Sequence, residues 1–288
     1  MSKQVLCFGE VLWDTFSDGK KVGGAPLNVA QHLRQQGVNA LMVSRIGTDA
    51  SGNELMAFLQ QHQLNTPLIQ VDNRLATCEV TVQLNDAGHA TYVIPEPVSW
   101  DNIQPDQELL MQAAQSSAIV FGSLACRNQA TRTTLLDLLS EITVPLRIFD
   151  VNLRAPHYEM DTIETLAAMA NVIKMNEDEA DLLIGSSKRS LQEKITEFQH
   201  KFHVNTICVT RGENGAMIWH DEQFYEHPGF PTEVADTVGA GDSFLATLVA
   251  GLLTGQPIDA TLEKACKVGA FVASQRGANP TYPAELGI

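Results

Sequence analysis

The stretch AIVFGSLACRNQATRTTLLDLLSEITVPLRIFDVN, residues 118–152, decides the fold class of this chain. It opens on AIVFGS (118–123) and closes on LRIFDVN (146–152), two short apolar runs rich in Val, Ile and Phe. Runs this short and this continuous suit strands buried on both faces. Between them, 128–141 carries a helical pattern, and a crossover helix is what joins two parallel strands. The unit recurs outward in both directions. QVLCFG (4–9), ALMVSRIG (40–47), VIKMNE (172–177) and TICVTRG (206–212) read as further buried strands, with amphipathic helical stretches at 26–36, 51–63 and 189–203. The expectation is an α/β fold with a mainly parallel central sheet and helices on both faces.

Two segments break the alternation. CEVTVQL–NDAG–HATYVI (78–94) alternates with period two around a turn-forming Asn-Asp-Ala-Gly, the signature of a β-hairpin. EVLWDTFSDGKKV (10–22) is similar, with Ser-Asp-Gly as its turn. Helices cover both faces of the main sheet, so these antiparallel pieces are expected to form a separate small sheet, a lid over a ligand crevice.

The chain of 288 residues, with 44% hydrophobic content, suits one globular domain. No apolar run is long enough to span a bilayer, and the N-terminus does not read as a signal peptide. Five scattered cysteines without a CxxC pair read as reduced, mostly buried thiols of a cytoplasmic protein. The histidines lack HExxH or similar metal-ligand spacing, which reads against structural zinc. A formal charge of −15 argues against nucleic acid or an anionic membrane as partner, though not against a small anion held by local amides.

In open parallel sheets, ligands bind beyond the carboxyl ends of the strands. The unusual polar residues of this chain fall there. Asp14 follows the first strand, Asn152 and Arg154 close FDVNLR (149–154), Asn176 closes the next strand, and Arg211 with Gly212 the one after. Each alone is more often a cap or a surface residue; together they favour a binding crevice. KVGGAPLNVA (21–30) opens a helix in which Gly23 and Gly24 permit close backbone approach, Pro26 suits the first turn, and Asn28 projects where it can meet a ligand hydroxyl. A plain turn entering a helix explains those residues equally well.

DTVGAGDSF (236–244) runs straight into LATLVAGLL (245–253), a buried helix. Gly239 and Gly241 are poor helix formers, costing about 1 kcal/mol each against alanine in a helix interior. A helix N-terminus presents unpaired amides and a positive dipole end. Glycines there let the amides face outward as an anion cradle, which a phosphoryl group in flight needs. Asp242 can then accept the proton of an attacking hydroxyl; the dipole is expected to keep it ionised and a weak base. A purely capping role is less suited to Asp242, because Asp236 and Thr237 stand upstream for that. There is no GxxxxGK[ST] loop and no strand-borne GxGxxG, which reads against P-loop NTPases and Rossmann dehydrogenases.

These residues resemble the PfkB, or ribokinase-like, carbohydrate kinases. DTVGAGDSF is similar to that family's C-terminal signature, and GGAPLNVAQHLRQQGVNALMVSRIGTDASGNEL (23–55) to its N-terminal one. The similarity runs from FGEVLWD (8–14) to GANPTYP (277–283), essentially the whole chain. It implies a single domain over 1–288, a three-layer αβα sandwich with a small β-sheet lid from about 10–22 and 76–96. It also implies transfer of the ATP γ-phosphate to a sugar hydroxyl. On this basis Asp242 is the base and the amides of Gly239, Ala240 and Gly241 form the anion hole. NEDE (176–179) matches the family's NxxE element and places Asn176 and Glu179 near Mg²⁺ and the phosphates, the glutamate through water. TRGENG (210–215), with Thr210, Arg211, Gly212 and Gly215, matches the loop under the nucleotide.

Asp14, Gly24 and Asn28 match sugar-contacting positions. Asp236, the Val238 carbonyl and the loop SQRGANPTYP (274–283) match a monovalent cation site, with K⁺ as the expected activator. GEVLWD, GGAPLN and FDVNLR resemble fructokinases, with Ala25 where ribokinases carry lysine. The D-x-N-x-R element also resembles 2-keto-3-deoxygluconate kinases, whose acid substrate calls for extra basic residues; Arg127 and Arg154 are the candidates here. A sugar-binding regulator without catalysis is expected to lack the base or the glycines, and all are present. If the outer face of the lid is apolar, two lids are expected to pair into a homodimer.

Overall fold

Alternate residues of the first strand, β1 (Gln4–Phe8), point to opposite sides of a sheet, and both sides are buried. Leu6 and Phe8 join one apolar cluster, Val5 and Cys7 another. A strand buried on both faces needs a helical layer on each, and that requirement builds the molecule. The computed structural model describes residues 3–16, 19–84, 90–185 and 189–287.

After β1 come β2 (Leu12–Phe16), β3 (Gly19–Gly23), α1 (Ala25–Gln35), β4 (Asn39–Gly47), α2 (Ala50–Gln61), β5 (Ile69–Asp72), β6 (Glu79–Leu84) and β7 (Ala90–Val93). Then follow α3 (Gln107–Gln115), β8 (Ala118–Gly122), α4 (Gln129–Glu141), β9 (Leu146–Asp150), α5 (Met160–Met169), β10 (Val172–Asn176), α6 (Glu177–Ile184) and α7 (Leu191–Phe202). The chain closes with β11 (Thr206–Thr210), β12 (Ala216–His220), β13 (Gln223–His227), α8 (Ala240–Thr254) and α9 (Ile258–Ala273).

Nine strands form the large sheet in the order β13-β12-β11-β10-β9-β8-β1-β4-β5. Pairings from β5 through to β11 are parallel, while β12 and β13 add an antiparallel edge. Helices α3 to α7 supply side chains to the cluster on one face. Helices α1, α2, α8 and α9 cover the other. The expected mainly parallel sheet between two helical layers is what the structure shows. TICVTRG ends as a strand at Thr210; Gly212 already belongs to a short helical turn, Gly212–Asn214.

Because β1 lies between β4 and β8, the chain leaves it in both directions across the sheet, and the crevice at such a reversal is where ligands bind. The two irregular segments form a separate four-stranded sheet, β3-β2-β6-β7. Each hairpin is antiparallel, but the two join through a parallel β2–β6 pairing. The turn residues Asn85-Asp86-Ala87-Gly88, and Ser17-Asp18 of the other turn, lie outside the described residues. Leu12, Cys78 and Val80 of this sheet segment pack with Val98, Trp100, Leu124 and Ala125. All five cysteines are buried and unpaired. No described helix is long and apolar enough to cross a membrane.

Candidate active site

Helix α8 begins at an N-cap, Gly239, whose φ of 81° is left-handed. A Cβ there would lie 2.4 Å from the Ala278 carbonyl oxygen. At Gly241 a Cβ would lie 3.2 Å from the Lys174 Nζ. At Gly239 the left-handed φ and the packed Ala278 backbone demand glycine, whereas at Gly241 a side chain would only press on the end of Lys174. Among the described residues the N–H groups of Gly239, Gly241 and Asp242 have no partner, whereas the Ala240 N–H reaches the Thr237 carbonyl at 3.3 Å. The cradle's free donors are therefore those of 239, 241 and 242, and the expected contribution of Ala240 is diverted to Thr237.

Asp242 stands in the first turn of α8, and its Oδ2 accepts from Asn28 Nδ2 at 2.8 Å. Burial and then the neighbouring Asp150 carboxylate push Asp242 up to about 6, against the pull of Lys174, the Asn28 hydrogen bond and Arg154. The helix dipole favours the ionised, weakly basic form expected from sequence; burial works in the opposite direction and makes the carboxylate a stronger base.

Beneath the cradle lies Lys174, buried on β10, with Nζ 3.0 Å from Asp150 Oδ1. Burial works against its charge, but Asp150, Glu179 and Asp242 outweigh that and hold it above the usual lysine range. Asn176 caps α6: its Oδ1 accepts from the Glu179 N–H at 2.8 Å and Glu179 Oε2 accepts from the Asn176 N–H at 2.9 Å, a reciprocal capping box. Glu179 Oε1 also accepts from the Leu153 N–H at 2.8 Å, tying NEDE to FDVNLR. With both oxygens on amides, Glu179 suits a metal held through water rather than directly. Among the described residues no group of three or more His, Cys, Asp or Glu is placed to hold a metal by itself.

On the opposite wall, Gly24 caps α1 with a φ of 112°, and a Cβ there would lie 2.4 Å from the Glu10 carbonyl oxygen. Asp14 on β2 sits against Gly23 and opposite Lys21. Burial pushes it up to about 6, with Arg154 and Lys21 opposing. Arg154 is exposed, bonded among the described residues only to the Leu153 carbonyl, and its charge acts on Glu10, Asp14 and Asp242 together. Asp14, Asn28, Arg154 and Asp242 are thereby brought to one crevice. Asn28 differs from its expected role: both ends of its amide meet protein, Nδ2 on Asp242 and Oδ1 accepting from Asn279 Nδ2 at 2.7 Å.

In the loop 210–215, Thr210 ends β11 and Gly215 has a φ of 77°, with the His227 carbonyl 2.0 Å from where a Cβ would stand. The Arg211 guanidinium pairs with Glu226 at 2.7 Å and so faces β13, leaving its backbone and that of Gly212 to line the loop. Asp236 accepts from the Val238 N–H at 3.0 Å and the Gly277 N–H at 3.1 Å, joining the loop before α8 to the C-terminal loop, and it does not cap α8. Arg127 is committed elsewhere: both Nε and Nη2 lie 2.8 Å from Asp101, and the guanidinium stacks on Trp100.

Four site residues escape the sequence reading: Glu10, Asp150, Lys174 and Asn279. Glu10 Oε2 and Asp150 Oδ2 are buried without a hydrogen-bond partner among the described residues and face one small cavity at the strand ends. Burial pushes Glu10 up to about 7. The charged Lys174 inside the otherwise apolar VIKM run was a usable signal, since an unpaired lysine is not tolerated there. Asn279 carried none.

Comparison with known proteins accords with this geometry. The pfkB family carbohydrate kinase profile matches residues 2–285. A fructokinase of Salmonella typhimurium is 30% identical, over 98% of this chain and 97% of its own. The sugar kinase PH1459 of Pyrococcus horikoshii, solved in complex with ATP, superposes with a TM-score of 0.79 at 26% identity, over 96% of this chain and 94% of its own. A fructokinase of Vibrio cholerae, solved with fructose, ADP and calcium, gives a TM-score of 0.83 at 25% identity, over 99% and 98%. The chain belongs to the pfkB family of carbohydrate kinases.

Proposed function

We propose that this carbohydrate kinase transfers the γ-phosphate of ATP to a hydroxyl of fructose, with Asp242 as the base. The observation that carries this reading is the first turn of α8, where a carboxylate raised to about 6 stands beside three free amides. The sugar hydroxyl gives its proton to Asp242, its oxygen attacks the γ-phosphorus, and the bond to the ADP oxygen breaks. The free amides of 239, 241 and 242 meet the charge on the equatorial oxygens. Asp14, Gly24 and Arg154 face the sugar, with Asn28 at its edge. Thr210, Gly212, Gly215 and the Arg211 backbone lie under the nucleotide. Asn176 and Glu179 would hold the water shell of Mg²⁺ carried on the ATP phosphates, an ion that would offset the phosphate charge. Asp236 and the Val238 carbonyl would hold K⁺ beside the cradle.

Fructose is favoured over 2-keto-3-deoxygluconate by Arg127. An acid substrate needs a cation for its carboxylate, and the bidentate Asp101 pairing removes one of the two candidates. The test is ADP release in the presence of fructose, ribose, 2-keto-3-deoxygluconate and nucleosides in turn. Fructose is expected to give the highest kcat/KM; a higher value for any of the others overturns the assignment.

A further inference from the structure

Asn28, His32 and Gln35 lie at i, i+4 and i+7 of α1 and so share one face. That face grips the C-terminal loop. Gln35 Nε2 donates to the Pro280 carbonyl at 3.1 Å, and Gln35 Oε1 accepts from the Tyr282 N–H at 2.9 Å. His32 Nε2 lies 2.9 Å from the Ala278 carbonyl oxygen and Nδ1 2.6 Å from the Tyr282 hydroxyl. A carbonyl only accepts, so Nε2 carries the hydrogen and Nδ1 accepts from tyrosine. Burial lowers His32 to about 4, so the imidazole stays neutral and this polarity holds at neutral pH. The clamp sets Asn279 against Asn28, one turn before His32.

The direction of the amide chain then follows from the carboxylate. Ionised Asp242 only accepts, so the end of Asn28 that faces it is Nδ2. Oδ1 of Asn28 therefore faces Asn279, which must present Nδ2. Asn279 Oδ1 is buried with no partner among the described residues, so nothing at its far end sets that amide; the contact with Asn28 does. Asp242 Oδ1 makes no hydrogen bond among the described residues and is left for the crevice.

We infer that Asn279 is a positioning residue for the base: it holds the Asn28 amide so that Nδ2 donates to Asp242 Oδ2, which leaves Oδ1 to take the proton. Without it, a buried carbonyl on Asn28 loses its donor, and the Asp242 contact alone is left to hold the amide in place.

The inference rests on the kinase reading above, and the test separates the two. Asn279→Leu, Asn28→Leu and the double variant are compared with the unaltered protein in fructose phosphorylation, with thermal melting as the check on folding. Asn279→Leu is expected to melt a few degrees lower but cooperatively, well above the assay temperature, and to lower kcat/KM by about ten- to a hundredfold. On the Asn28→Leu background the same substitution is expected to cost less than about threefold more, because the two act through one hydrogen-bond chain. The acid limb of kcat/KM moves upward in Asn279→Leu. Asp150, Lys174, Glu10 and Arg154 also face Asp242 and stay in place, so the shift reports the Asn28 bond. A ¹³C titration of the Asp242 carboxyl reads the same upward shift without turnover, and so stands even if fructose is not the substrate. Multiplying effects in the double variant, or an Asp242 titration unmoved by Asn279→Leu, overturns the inference.

Discussion

The chemistry assigned to Asp242 depends on which form it holds at working pH. Burial and Asp150 raise it to about 6, so above that pH the carboxylate is free to accept a proton, and below it the base is lost. The acid limb of kcat/KM is accordingly expected near pH 6, with a plateau above; a limb near 4 means that Asp242 is not the group observed. Lys174→Met leaves Asp150 buried and unpaired, which is expected to cost about 3–5 kcal/mol in urea unfolding. Adding Asp150→Asn should recover most of that loss, and a single variant as stable as the unaltered protein contradicts the pairing. Asp242 and its glycines were legible because they sit within one short run whose composition is wrong for a plain helix. Asn279 was not, because its meaning depends on a contact across the chain: the Asn28–Asn279 bond spans 251 residues.

Elements were legible where periodicity is strong. The parallel strands and the two hairpins stand in the sequence as apolar runs and period-two alternation, but their order across the sheet is set by non-local pairing that no local pattern encodes. The antiparallel edge went unread because β13 mixes exposed and half-buried residues without a clean alternation. The small sheet has its motion still to be measured. If it closes as a lid, saturating fructose should increase amide hydrogen-exchange protection in Leu12–Phe16 and Glu79–Leu84; unchanged protection there speaks against closure. The two loops joined by Asp236 make a second test. A cation there orients the cradle amides without touching either substrate, so replacing K⁺ by a bulky organic cation at constant ionic strength should lower kcat more than KM. Equal rates in both salts sink the cation site.

At the scale of the molecule, the crevice is assembled from four distant stretches of chain: 10–28, 150–179, 236–242 and 277–282. The sheet's reversal beside β1 brings the first two together, α8 inserts the third, and the clamp on α1 fixes the last. A net charge of −15 surrounds this site, so the local amides and Lys174, not the overall field, must account for anion binding. That arrangement makes one group answerable for the central claim. Single-turnover transfer of the γ-phosphate from saturating Mg²⁺·ATP to fructose, in the unaltered protein and in Asp242→Asn, tests it most directly, with ATP affinity measured alongside by calorimetry. The expected result is a loss of transfer of about a hundredfold or more with ATP affinity nearly unchanged. Transfer reduced by less than about tenfold, far short of what removing a general base costs, contradicts the account.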